Sequence, residues 1–317
     1  MPAMKIAVQM DPLENVNPAG DTTFAMIEEA QSRGFSTWVY GVDDLFYDAG
    51  DVKAWARPAK VFRRDDGHCE IGERVLLDLR VDVDVILMRQ DPPFHMGYLT
   101  AAHLLELVKE DTLVVNDPAW VASSPEKVFP LIYPELQPPT LISRSLEAIQ
   151  AFRKKHKDIV LKPLYGHGGA SVVRVKPDDG NFEALVEMFQ EKAPEPFIAQ
   201  AFLPDVTAGD KRIILVDGEP CGAINRMPPE GAIRSNLVVG GTAQGSELTE
   251  RELEICAKIG PELKRRGLIF VGIDVIGNYM TEVNVTSPTG AQAIKKMTGI
   301  DPVAKMWDVI QAKFKKS

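Results

Sequence analysis

Cysteine is scarce: 317 residues carry Cys69, Cys221 and Cys256, widely spaced, with no CxxC and no matching histidine cluster. That argues against a disulfide framework or a thiolate metal site, and the three read as ordinary thiols. Positive charge is also short. The 36 Lys and Arg against 45 Asp and Glu leave a net charge of −9, so no basic surplus is available to neutralise a nucleic-acid backbone or an anionic membrane. Neither partner is expected. No apolar run approaches the roughly 20 residues that span a bilayer, and the opening MPAMKIAVQM reads as a strand rather than a charged-then-apolar export signal. The expected location is cytoplasmic. Internal repeats and low-complexity tracts are missing. So are GxxxxGK[ST] and a helix-opening GxGxxG, which disfavours two common nucleotide folds.

The hydrophobic content of 45% suffices for one large α/β domain or two to three smaller ones. Strand-like apolar runs alternate with helical ones, the pattern of α/β architecture. KIAVQM (5 to 10) predicts a strand, DTTFAMIEEAQSRG (21 to 34) a helix stopped by Gly34, and TWVYGV (37 to 42) a second strand. VDVDVILMRQD (81 to 91) predicts a third strand, YLTAAHLLELVKE (98 to 110) a helix and TLVVN (112 to 116) a fourth strand, closing a first domain near residue 120. NDPAWVASSPEK (116 to 127) reads as a connector. A second unit follows: helix 145 to 156, strand 158 to 163, a glycine loop, strand SVVRV, helix 181 to 192 and strand 197 to 203. RIILVDGEPCGAINRM (212 to 227) predicts a hairpin turning at Asp217-Gly218. The aperiodic MPPEGAIRSNLVVGGTAQGS after it is a lid or a disordered loop. A helix with a Thr249/Glu252 capping box runs to Gly267, kinked or broken near Gly260-Pro261, before a last hairpin (268 to 285) and a C-terminal helix.

Chemistry concentrates in three places. LKPLYGHGGASVVRV (161 to 175) sets Lys162 ahead of Gly166, Gly168 and Gly169 between two strand-like runs, where bare backbone can approach a phosphate. In the last hairpin, Asp274, Glu282 and Asn284 stand amid Val, Ile and Phe. Glu282 and Asn284 share a face. A three-residue loop at Gly277-Asn278-Tyr279 sets Asp274 opposite Glu282, whereas a two-residue loop sends them to opposite faces. Hard oxygen ligands without nitrogen or sulfur suit Mg²⁺ bridging phosphates; the bland alternative is a solvated strand face. Lys127, Lys162, Arg212 and Arg226 supply the positive charge that phosphoryl transfer needs. His167 within the glycine loop and His95 after DPPF are the other candidates; one reads as solvent-facing and the other as structural. Asp11 ends the first strand, where it is either a turn-former or a substrate contact.

These pieces, with VILMRQDPPF (85 to 94), GDKRIILVDGEP, RSNLVVGG and GLIFVGIDVIGNYMTEVNVTSPTG (267 to 290), resemble the ATP-grasp superfamily and, within it, the prokaryotic glutathione synthetases. The resemblance runs through nearly the whole chain in order. It departs at Tyr165, where an acidic or small residue is expected, and in the strand AQAFL.

The resemblance implies an α/β ATP-grasp fold: an N-terminal Rossmann-like substrate domain (1 to 122), a central subdomain with the glycine loop (123 to 202) and a C-terminal subdomain (203 to 317) whose loop 227 to 242 is a lid. It implies ATP-dependent ligation of γ-glutamylcysteine to glycine through an acyl phosphate. Another amino-acid or peptide ligase, or a non-catalytic nucleotide-binding protein of the same fold, is the alternative. Carried onto this sequence, Lys127, Lys162, Gly166, Gly168 and Gly169 would bind the nucleotide's phosphates, Lys211 would also bind the nucleotide, and Gln200, Ala201, Phe202 and Leu203 would meet its adenine, with Phe202 and Leu203 open to a core role. Arg212, Arg226 and Arg234 would be catalytic, the first two facing the reacting phosphate and Arg234, on the lid, holding the peptide substrate. Asp11, Arg89, Asp91, Asn236, Ser287, Pro288, Thr289 and Gly290 would meet the substrates. Asp274, Glu282 and Asn284 would hold Mg²⁺ or Mn²⁺, two ions being usual, and the assembly would be a homotetramer or homodimer.

Overall fold

The computed structural model describes residues 3–64, 67–229 and 242–314. The first sheet is built on the parallel strands β1 (Lys5–Gln9), β2 (Ser36–Tyr40), β7 (Val85–Met88) and β8 (Leu113–Val115), in the order β2-β1-β7-β8. Helix α1 (Thr22–Ser32) starts on the Asp21 side chain, which accepts from the Phe24 N–H. Between β2 and β7 lies an antiparallel excursion that composition does not announce: β3 (Leu45–Asp48), β4 (Asp51–Val61), β5 (Cys69–Ile71) and β6 (Val75–Asp78), all paired to β4. Helix α2 (Met96–Glu106) begins where His95 Nδ1 accepts from the Tyr98 N–H, so His95 is structural. The connector after β8 holds a short helix, α3 (Pro118–Ser123), capped by Asp117 with Pro118 at its first position.

A second, antiparallel sheet has the order β11-β10-β12-β9, with β9 (Thr140–Ser143), β10 (Ile159–Pro163), β11 (Val173–Val175) and β12 (Phe197–Ala201). Its apolar face is covered by α4 (Leu146–His156) and α5 (Phe182–Lys192) through Ile149, Phe182, Val186 and Phe189.

The third sheet, order β15-β14-β13-β16-β17, comprises β13 (Asp210–Val216), β14 (Glu219–Met227), β15 (Thr242–Gly245), β16 (Phe270–Ile276) and β17 (Tyr279–Asn284). Asp217 and Gly218 both take positive φ at the β13/β14 turn, as the dipeptide predicts. Alternation along β13 decides what faces what. Ile213 and Leu215 pack with Ile255, Cys256 and Ile259 of α6 (Glu250–Arg265), while Ile214 and Val216 pack with Ile294 of α7 (Ala291–Thr298) and Met306 and Trp307 of α8 (Pro302–Phe314). Helix α6 carries the expected capping box and runs unbroken through Pro261. The C-terminal helix is two helices, because Gly299 takes a left-handed conformation (φ 77°) between them. No helix among the described residues is long and apolar enough to cross a membrane.

The last hairpin sets Asp274 opposite Glu282 without the three-residue loop that this pairing was expected to require. The loop is the two-residue Gly277-Asn278, with Ile276 opposite Tyr279 and Val275 opposite Met280, yet Asp274 stands opposite Glu282. Thr281 is the extra residue. Its β-bulge returns both carboxylates to one face, and its hydroxyl donates to the Asp274 carbonyl at 3.2 Å.

Candidate active site

The site is assembled on the α7/α8-side face of the third sheet. Arg212 pairs with Asp274 across β13 and β16, and Asp210 with Arg226 across β13 and β14, which puts all four side chains together. Arg212 grips Asp274 with two guanidinium nitrogens, Nε to Oδ1 at 2.5 Å and Nη2 to Oδ2 at 2.9 Å. Arg226 adds a contact to Asp274 Oδ1 at 3.0 Å and donates to Asp210 Oδ2 at 2.6 Å. Burial works to raise the Asp274 carboxyl, but the two arginines outweigh it and hold it well below the usual carboxylate range.

Two lysines arrive from outside that sheet. Lys127, on the segment after α3, donates to the Gly166 carbonyl and lies 3.5 Å from Glu282 Oε1; Lys162, near the end of β10, lies 3.8 Å from the same oxygen. Burial alone would lower the Lys127 ammonium, yet Glu282 and Glu126 reverse that and raise it. Burial wins at Lys162, which falls below its ordinary value. The glycine loop folds over the same space: Gly166, Gly168 and Gly169 line a cavity with Lys127, Lys162, Arg212, Asp274, Glu282 and Asn284. Gly168 and Gly169 take φ of 62° and 72°, a left-handed pair that side-chain-bearing residues rarely adopt.

An adjoining apolar slot is walled by Val160, Val172, Val206 and Ile276, with Gln200, Ala201, Phe202 and Leu203 along one side. Phe202 and Leu203 are half-buried on this wall, not in a core. The Arg174 guanidinium lies 3.7 Å from the Phe202 ring centroid and is held by both oxygens of Asp158. Gln200 donates to the Thr140 hydroxyl at 2.8 Å. The N–H groups of Ala201 and Phe202 already bond the carbonyls of Pro139 and Asp158, so those two amides are not free to read a base.

The first sheet closes the far side. Buried Arg89 donates to the Thr23 hydroxyl at 3.0 Å and to the Pro288 carbonyl at 3.1 Å, while Arg212 Nη1 donates to the Thr289 carbonyl at 3.1 Å. The segment Ser287, Pro288, Thr289 is thus pinned from two sheets, with Gly290 as the N-terminal cap of α7. Gly272 permits this approach: a Cβ there would lie 2.9 Å from the Pro288 Cβ. The Asp91 N–H donates to Asp11 Oδ2 at 3.1 Å, joining the loops after β1 and β7. Burial lowers the Arg89 guanidinium, opposed by Asp21 and Asp91.

Lys211 does not reach the site. It points from the opposite face of β13, donating to the Glu247 carbonyl at 2.8 Å and to Glu252 Oε2 at 2.7 Å, where it steadies the start of α6. His167 is an exposed residue at the cavity rim. Arg234 and Asn236, with residues 230 to 241 of the expected lid at 227 to 242, lie outside the described residues.

Sequence reading missed Glu126 and Thr286, which also line the cavity. The Thr286 hydroxyl donates to Glu126 Oε1 at 2.7 Å, and burial raises the Glu126 carboxyl against the pull of Lys127. The one available signal was Glu126's place beside Lys127. Asp210 was missed as well, although its i, i+2 relation to Arg212 put it on the same face.

As a divalent-metal site the donor set fits. Asp274 and Glu282 face each other, and Asn284 donates its amide to the Gly272 carbonyl at 3.1 Å, which leaves the amide oxygen as what it can offer. These are hard oxygen donors. No three His, Cys, Asp or Glu converge among the described residues, so a cation there needs further oxygens, which phosphates provide.

Comparison with known proteins agrees along the whole chain. Residues 4–122 match the prokaryotic glutathione synthetase N-terminal domain and 126–299 its ATP-grasp domain. The glutathione synthetase of Rhodopseudomonas palustris is 53% identical over 310 residues, covering 98% of this chain and 99% of the relative. That of Pseudomonas putida is 40% identical over 315 residues, covering 99% of each. Among solved structures, the D-cycloserine synthetase DcsG superposes with a TM-score of 0.67 at 15% identity, covering 98% of this chain and 99% of that one, a likeness of fold. With both family domains matched in order and relatives aligned from end to end, the chain belongs to the prokaryotic glutathione synthetase family.

Proposed function

We infer that this protein forms glutathione by joining γ-glutamylcysteine to glycine at the expense of ATP, releasing ADP and phosphate. The observation that carries the chemistry is the convergence of Lys127, Lys162, Arg212 and Arg226 on the facing carboxylates Asp274 and Glu282 under the glycine loop. A carboxylate is inert toward an amine until one oxygen becomes a good leaving group. Its attack on the γ-phosphorus expels ADP and gives an acyl phosphate, and the amine of glycine then attacks the acyl carbon and expels phosphate.

In this reading adenine occupies the apolar slot beside residues 200 to 203, and the phosphates run toward Lys127, Lys162 and the loop Gly166 to Gly169. Arg212 and Arg226 face the transferring phosphoryl group, where fixed positive charge stabilises what develops in the transition state. Asp274, Glu282 and Asn284 would hold Mg²⁺ or Mn²⁺, two ions by our proposal, supplying charge neutralisation at the phosphate oxygens. Arg89 and the segment Ser287 to Gly290, with Asp11 and Asp91 at the rim, form the substrate wall. The gap between the two family matches, 4–122 and 126–299, supports a division at 122/123; a further division at 202/203, a homodimeric or homotetrameric assembly and a cytoplasmic setting complete the proposal.

The test is phosphate release from ATP with γ-glutamylcysteine, with and without glycine, the product being weighed by mass spectrometry. A tripeptide that forms only with glycine is expected. ATP binding without product from this pair would move the activity to another carboxylate.

A further inference from the structure

We propose that Glu126 receives the amine of the incoming amino acid, an assignment that rests on the ligase reading above. Four carboxylates line the cavity among the described residues: Asp91, Glu126, Asp274 and Glu282. Two belong to the metal site proposed above and also face protein cations, Asp274 facing Arg212 and Arg226 and Glu282 facing Lys127 and Lys162. Asp91 is an exposed residue of the rim. Glu126 alone combines a sheltered position with proximity to the reacting end.

Its placement is built. The Glu126 carbonyl accepts from the Val283 N–H at 2.9 Å, which fixes its backbone between Glu282 and Asn284 of β17. Oε1 is oriented by the Thr286 hydroxyl at 2.7 Å. That one bond leaves the carboxylate with acceptor capacity for a further donor. Adjacent Lys127 reaches the Gly166 carbonyl at the phosphate end, while Glu126 reaches Thr286, the start of the run toward Ser287, Pro288 and Thr289. An amine attacking an acyl phosphate must stand beside the carbon whose phosphate the lysines hold, and Glu126 and Lys127 are consecutive residues. Reach and orientation of this kind are worth large factors in rate.

The test replaces Glu126 by glutamine, which can still accept from Thr286 but lacks the charge. Glycine is titrated at saturating ATP and γ-glutamylcysteine. The KM for glycine should rise about tenfold or more, the loss expected for one charge-assisted hydrogen bond. The KM values for ATP and γ-glutamylcysteine should stay within about twofold. Formation of the acyl phosphate, followed without glycine by positional isotope exchange in labelled ATP, should be unchanged. A merely structural role would move all three. An unaltered glycine KM, or parallel losses in isotope exchange and ATP affinity, overturns the assignment. Should the glutamine variant fail to fold, Glu126→Asp decides by the same measurements: a smaller, glycine-specific rise supports it and none refutes it. A wild-type protein that makes no glutathione with these substrates sinks the ligase reading itself, which no result on Glu126 alone could do.

Discussion

Asp274 and Glu282 face each other across β16 and β17, but they are held differently. Two guanidiniums grip Asp274 at 2.5–3.0 Å, while the ammoniums near Glu282 stand 3.5 and 3.8 Å away. The Glu282 side chain is also 24% exposed against 7% for Asp274. Glu282→Gln should therefore lower kcat by about 10²–10³ with little change in melting temperature. Asp274→Asn should lose activity and also about 3–5 kcal/mol of stability, because it strands two buried arginines. Kinetics paired with thermal melts separates the two; a Glu282→Gln protein that melts as early as Asp274→Asn would contradict the distinction.

Lys162 presents the reverse case. Its charge is buried, and the carboxylate that answers it lies 3.8 Å away. Lys162→Met keeps the length and removes the charge, an exchange that is neutral or stabilising when a buried ion is poorly compensated. The melting temperature should hold or rise while kcat/KM for ATP falls by about 10²–10³. A large drop in stability would mean that the ion pair, not catalysis, keeps the lysine there.

Lys211 neighbours Arg212 in sequence and is separated from it by the sheet. Its partner Glu252 also accepts from the Thr249 N–H, so the ammonium completes the α6 capping box. Lys211→Ala should cost about 1–3 kcal/mol in urea unfolding by stranding that carboxylate and leave the KM for ATP unaltered. A marked rise in that KM would return Lys211 to the nucleotide site.

These contrasts also locate what a single sequence discloses. The glycine loop, Lys162, the Asp217-Gly218 turn and the helix caps are legible because each signal lies within a few residues. Lys211 was misread although strand alternation alone turns it away from Arg212. The Asp274/Glu282 register rests on a bulge at Thr281, and a bulge carries no strong side-chain signature, so loop length alone pointed to the wrong device. Strand β4 (DVKAWARPAKV) buries mainly alanines on its inner face and contains Pro58, which blunts both the hydrophobic period and the strand signal. Glu126 acquires its partner 160 residues away, a distance over which local pattern is silent.

Asp301 offers a test by pH. It precedes Pro302, the first residue of α8, accepts from the N–H groups of Val303 and Ala304, and pairs with Lys295 at 2.6 Å. Burial works to raise its carboxyl, but the Lys295 ammonium and these amides outweigh it, so the folded value lies below the ordinary 3.8. A depressed carboxyl contributes stability that is complete above its unfolded value and disappears as the pH falls through the folded one. Asp301→Asn keeps a capping oxygen and loses the charge. It should unfold earlier than wild type at pH 7, by about 1 kcal/mol or less since Lys295 is largely exposed and screened, and the gap should close as the pH drops well below 3.8. A gap that persists in acid would assign the effect to cap geometry rather than to charge.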